Sequence, residues 1–123
     1  CIGETAYEKK KGITNKILTK QISIGLSKVK KNKNILIAYE PRWSIGTGII
    51  PKTYELEKTI VEIKKICKKI PYVYTNLKIL YGGSVNSNNV DKLKIITGID
   101  GFLIGGASQN SKKFIDIIKK TIN

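Results

Sequence analysis

Histidine and methionine are missing from the sequence altogether, and cysteine, tryptophan and arginine are nearly so: two Cys, one Trp and a single Arg, Arg42. Each scarcity excludes something. Without His these residues supply no catalytic imidazole, and a zinc site would have to be built from thiols and carboxylates alone, so no metal is expected. Cys1 and Cys67 make no disulfide framework and stand in no metal-ligand spacing; a reducing, cytoplasmic setting is the default. No apolar run approaches the roughly 18 residues of a membrane-spanning helix. No charged segment followed by an apolar one opens the chain, so no secretory leader is expected. Because it starts at Cys1 and contains no Met, the sequence reads as a piece of a longer protein: residues 1–123 form a single partial domain.

Acidic residues are also scarce, 9 against 23 basic, leaving a formal charge of +14. Such a balance raises the question of a nucleic-acid partner. All but one of the basic residues are lysine, however, and they fall in helix-like segments such as Lys64, Lys65, Lys68 and Lys69, or Lys112, Lys113, Lys119 and Lys120. Phosphate and base readers favour arginine forks, and single-strand binders interleave aromatics with their cations. The charge therefore reads as solvated helix faces, with neither nucleic acid nor membrane as partner.

What remains is an alternating pattern. Leu18, Ile22, Leu26 and Val29 recur at helical spacing within 14–30, with Thr14 as the expected N-cap. The apolar run 34–40 reads as a strand buried on both faces. Residues 53–70 carry a stripe of Leu56, Ile60, Ile63, Cys67 and Ile70 opposite a lysine face. Thr53 is its expected cap, Glu55 and Glu57 complement its first turn, Pro71 stops it, and Cys67 is a core residue. A second strand is expected at 77–83, a short helix at 87–96, a third strand at 100–106, and a last helix at 108–122 with Phe114, Ile115, Ile118 and Ile122 inward. Helices between short apolar strands imply parallel pairing with crossovers. Periodicity leaves an open doubly wound sheet and part of a (β/α)8 barrel equally available.

Every strand exit is chemically unusual. The first ends in Glu40, the second in Tyr81-Gly82-Gly83-Ser84, the third in Gly105-Gly106-Ala107-Ser108. Ligands of α/β folds bind at these carboxyl ends. Paired glycines let backbone N–H groups approach an anion, so two such corners on neighbouring strands can hold one phosphate together. Neither corner is a GxxxxGK[ST] or GxGxxG loop, which points to a small phosphorylated substrate rather than a nucleotide. Glu40 stands at the same edge, biased to extended backbone by Pro41; an acid enclosed by apolar groups becomes a stronger base when a substrate is shut in with it. The stretch that follows, Pro41-Arg42-Trp43-Ser44-Ile45-Gly46-Thr47-Gly48, has a stiff start, a large anchor and glycine pivots, as a lid that expels water would need.

These residues resemble a known family. AYEPRWSIGTG, YGGSV and DGFLIGGAS, with CIGE at the start, are similar in order and spacing to triosephosphate isomerases, whose Glu base and closing loop are established. The resemblance runs over the whole chain. It implies the C-terminal half of a (β/α)8 barrel (strands 6–8 with helices 5–8), and an aldose–ketose isomerase in a homodimeric parent, with no cofactor. Position by position it implies Glu40 as the base that shuttles a proton between C1 and C2. Backbone N–H groups at Gly46, Ser84, Gly105 and Gly106 would hold the phosphate, and Ile45 and Leu103 would clamp the base. Pro41, Trp43, Thr47, Gly48 and Tyr81 belong to the lid and its latch, with Glu4 as Trp43's partner in the open state.

Two departures stand out. Pro51 falls near the place where the family's matching tyrosine meets a backbone N–H, and proline has none; a bond from Ser84 to Gly48 would then carry more of the closed state. The Lys and His that polarise the substrate carbonyl come from earlier strands, so these 123 residues alone are expected to be inactive. The alternatives are another phosphate-binding barrel, of the kind found in histidine or tryptophan synthesis, and a non-enzymatic basic module binding nucleic acid.

Overall fold

The computed structural model describes residues 1–29, 35–70 and 77–122. Residue 34 of the first expected strand, residue 30 of the first expected helix, and Pro71 as a helix stop lie outside them. Two short helices lead, α1 (Ala6–Lys10) and α2 (Thr14–Leu26). Strand β1 (Leu36–Tyr39), helix α3 (Thr53–Lys68), strand β2 (Lys78–Tyr81), helix α4 (Val90–Lys94), strand β3 (Gly101–Phe102), a 3-10 turn (Gly106–Gln109) and helix α5 (Ser111–Ile122) follow.

The sheet is parallel, in the order β1-β2-β3, with Tyr39 beside Tyr81 and Tyr81 beside Phe102. Ile2 extends it on the other side of β1: its N–H donates to the Ala38 carbonyl at 2.9 Å and its own carbonyl accepts from Glu40 N–H at 2.7 Å. Parallel neighbours need crossovers, which α3 and α4 supply. Ile37 and Tyr39 on β1 and Ile79 and Tyr81 on β2 join one core with Leu18 and Ile22 of α2, Leu56, Ile60, Ile63 and Cys67 of α3, and Val90 and Leu93 of α4. Their alternate neighbours stay out of that core, because successive strand side chains point to opposite faces. Leu36 and Lys78 are exposed, Ala38 is small and buried, and Leu80 is half-buried. Helices thus cover one face of a sheet whose strands follow chain order without a switch point. That arrangement is consistent with a barrel segment.

Several local expectations are corrected. Thr14 and Thr53 are the first residues of α2 and α3, not their caps. The first intrahelical bonds are accepted one residue earlier, by Ile13 from Ile17 at 3.1 Å and by Lys52 from Leu56 at 3.0 Å. Glu55 lies in the first turn of α3, but Glu57 does not. Helix α1 was not anticipated, although Thr5 and Glu8 form a capping box, Thr5 Oγ1 accepting from Glu8 N–H and Glu8 Oε2 from Thr5 N–H. The third strand is only two residues long. Along α5 it is Ile117 that is buried; Phe114, Ile115, Ile118 and Ile122 stay exposed. The helix meets α4 and the 3-10 turn along one edge, and Phe114, Ile118 and Ile122 border an open groove shared with Phe102 and Ile104.

Cys67 is fully buried on α3 and Cys1 is exposed. Burial pushes the Cys67 thiol up to about 11. An alkylating reagent at pH 8 is expected to modify Cys1 at once and Cys67 only after unfolding, counted by mass. The sign of the linkage follows: the unfolded thiol ionises near 9 and the folded one later, so Cys67 stabilises less as pH rises through that window. Equal labelling rates would contradict the packing of α3.

Candidate active site

The strand register builds the site. With Tyr39 beside Tyr81 and Tyr81 beside Phe102, the next residues are Glu40, Gly82 and Leu103, abreast on the face without helices. Gly82 has no side chain, and the Glu40 carboxylate takes that space. A Cβ on Gly82 would stand 2.7 Å from Glu40 Cγ and 3.2 Å from its Oε2. Sequence reading assigned this glycine to anion approach; its closest duty is to make room for the acid.

Glu40, Ile45, Gly46, Gly48, Ser84, Leu103, Gly105 and Gly106 line one cavity of about 430 Å³ at the carboxyl end of the strands. Space above Gly46, Gly105 and Gly106 is open, with no atom within 4 Å of an added Cβ. The two diglycine corners therefore differ: Gly82–Gly83 is crowded by neighbouring side chains, and Gly105–Gly106 faces the cavity. Pro41, Trp43, Thr47 and Tyr81 do not line it. Among the described residues, no three His, Cys, Asp or Glu side chains gather to hold a metal ion.

Behind the loop, Trp43 Nε1 donates to Glu4 Oε1 at 2.9 Å and Tyr39 OH to Glu4 Oε2 at 3.1 Å. Burial and the adjacent Glu4 carboxylate both push the Tyr39 phenol up, so it stays a donor. Lys9 lies over the Trp43 ring at 3.9 Å and pairs with Glu55 at 3.0 Å. At the front, Gly48 N–H donates to Ser84 Oγ at 2.9 Å, and Ser84 Oγ–H donates to the Ser44 carbonyl. The Trp43–Glu4 bond expected from the resemblance is thus present, and it coexists with the Ser84–Gly48 latch. The Tyr81 hydroxyl meets Ser44 Oγ at 3.2 Å, not an amide near Pro51.

Ser84 has a left-handed backbone, φ 48°, a strained position for a residue with a side chain. Its carbonyl accepts from the side-chain amides of Asn86 at 3.1 Å and Asn89 at 2.9 Å. Sequence reading missed both asparagines and Ser44. The Asn-rich run 86–89 was a signal of local side-chain-to-backbone bonding; Ser44 gave none.

Sequential parallel strands covered by helices on one face, with an acid and a glycine-walled cavity at their carboxyl ends, are the arrangement of a (β/α)-barrel segment with a pocket at the ligand-binding edge. The sequence matches the family profile described as triosephosphate isomerase over residues 1–121. Curated triosephosphate isomerases are similar throughout: that of Chlamydia trachomatis serovar L2 is 40% identical, covering 98% of this chain and 44% of its own length. Those of Leptospira biflexa (42% identical; 97% and 50%) and Yarrowia lipolytica (41%; 99% and 49%) are alike. The chain belongs to the triosephosphate isomerase family. It spans about half the length of the curated relatives it matches.

Proposed function

We propose that this chain, as one partial domain, supplies the base, the lid and the phosphate cradle of an enzyme interconverting dihydroxyacetone phosphate and glyceraldehyde 3-phosphate. The observation that carries the reading is the single cavity shared by Glu40, the lid glycines and the Gly105–Gly106 corner. Glu40 takes a proton from C1 of the ketose and returns it at C2, the carbonyl and hydroxyl exchanging through an enediol(ate). Backbone N–H groups at Gly46, Ser84, Gly105 and Gly106 hold the phosphate, and Ile45 and Leu103 confine the carboxylate. The lid, latched by Ser84 to Gly48, excludes water and keeps the intermediate from losing its phosphate. The reaction moves a proton within one substrate with no net oxidation, so it calls for no redox cofactor.

The electrophile for the substrate carbonyl comes from a Lys and a His outside these residues, in a homodimeric, cytoplasmic parent. A coupled assay of the intact protein tests the activity: interconversion of the two triose phosphates is expected, and its absence at micromolar enzyme would overturn the reading. Gly82→Ala sharpens it. The added methyl must displace the Glu40 carboxylate, and a misplacement on the order of 1 Å costs about a hundredfold. The loss is expected in kcat, with KM little changed, because the phosphate contacts are untouched. A variant with kcat within twofold of the parent would contradict this role of the glycine.

A further inference from the structure

We propose that Ser44 is a positioning residue of the lid, its hydroxyl tying the lid's exit to β2 so that the loop stays shut over Glu40. Ser44 directly follows the anchor Trp43, yet its surface is fully buried. Its Oγ–H donates to the carbonyl of Ile49, at the far end of the loop. With that proton committed, the Tyr81 hydroxyl at 3.2 Å is the donor of the second bond. The Ser44 carbonyl accepts from Ser84 Oγ and, at 3.1 Å, from Thr47 Oγ1. One residue thus meets the middle of the lid, its exit, and two residues leaving β2.

The surroundings are shaped for this pair. A Cβ on Gly83 would stand 2.3 Å from the Tyr81 hydroxyl and 2.5 Å from Ser44 Oγ, so the first diglycine corner is glycine where the two hydroxyls meet. Burial, partly offset by the Ser44 bond, raises the Tyr81 phenol to about 12, so it remains a donor at neutral pH. Pro51, just beyond Ile49, has no N–H to offer another partner. In Ser44→Ala the Tyr81 hydroxyl loses its acceptor in a dry site, a larger penalty than the mean worth of a hydrogen bond.

The inference rests on reading residues 41–50 as a lid, but its test uses no substrate, so failure of the isomerase assignment would show in turnover and not here. Amide hydrogen exchange on the full chain follows Gly48, whose N–H is bonded to Ser84 Oγ, and the α3 amides of Ile60 and Ile63. Ser44→Ala is expected to speed Gly48 exchange by about tenfold or more while the α3 amides keep their rates, as in local opening. Acrylamide quenching of Trp43, the only tryptophan, is expected to rise in parallel. Tyr81→Phe should speed Gly48 less, since the Ser44–Ile49 bond survives. Should Ser44→Ala fold poorly, Ser44→Ala/Tyr81→Phe leaves no hydroxyl orphaned; it should recover the α3 rates without recovering Gly48. Unchanged Gly48 exchange in Ser44→Ala, acceleration that spreads equally over α3 and persists there in the double variant, or Gly48 protection restored in the double variant would each overturn the proposal.

Discussion

Replacing Glu40 with glutamine in the intact protein is expected to lower kcat by between about a hundredfold and ten-thousandfold, the range a positioned general base contributes. The amide keeps the shape of the side chain and fills the gap left by Gly82, so the cavity keeps its form. What it loses is the ability to accept a proton. In the proposed mechanism the phosphate contacts are made by the lid and the Gly105–Gly106 corner rather than by the acid, so KM should hold within a few fold. Crystallography or chemical-shift mapping of the variant separates lost chemistry from lost structure. A variant within tenfold of the parent would show that Glu40 is not the base.

The second large effect concerns the chain by itself. These 123 residues include no histidine, and among the described residues no lysine lines the cavity. Loss of a single preorganised donor to a developing oxyanion costs about 10²–10³ in rate; here the electrophile of the proposed mechanism is lacking altogether. The isolated chain is therefore expected to turn over triose phosphate more than about a thousandfold slower than an intact relative under the same assay. A rate near that of an intact relative would mean that Glu40 and backbone donors suffice, and the proposed division of labour would fall.

How much of this was legible in the sequence varies with the physics. Alternation of helix and strand was readable because apolar spacing reports burial directly: the Leu56, Ile60, Ile63 and Cys67 stripe is the buried face of α3. Helix starts were not, since threonine is common both at the cap and at the position after it, and only the carbonyls of Ile13 and Lys52 decide the register. The α5 stripe misled because periodicity marks an apolar face without saying what covers it. At the site, glycines at strand ends announced close approach but not what approaches. For Gly82 it is a carboxylate, for Gly83 a pair of hydroxyls, for Gly105 and Gly106 open space. Those differences depend on which strands lie abreast, and register is a long-range property. Ser44 was invisible for the same reason: two of its partners, Tyr81 and Ser84, are 37 and 40 residues away.

The convergence of acid, lid and glycine corner on one phosphate ester is tested most directly by backbone amide shifts of the chain titrated with dihydroxyacetone phosphate. The amides of Gly46, Ser84, Gly105 and Gly106 are expected to move together along one binding curve, with Trp43 fluorescence following the same curve as the lid settles. Shifts confined to the lysine faces of α3 and α5, or separate curves for the lid and for Gly105–Gly106, would contradict a single site.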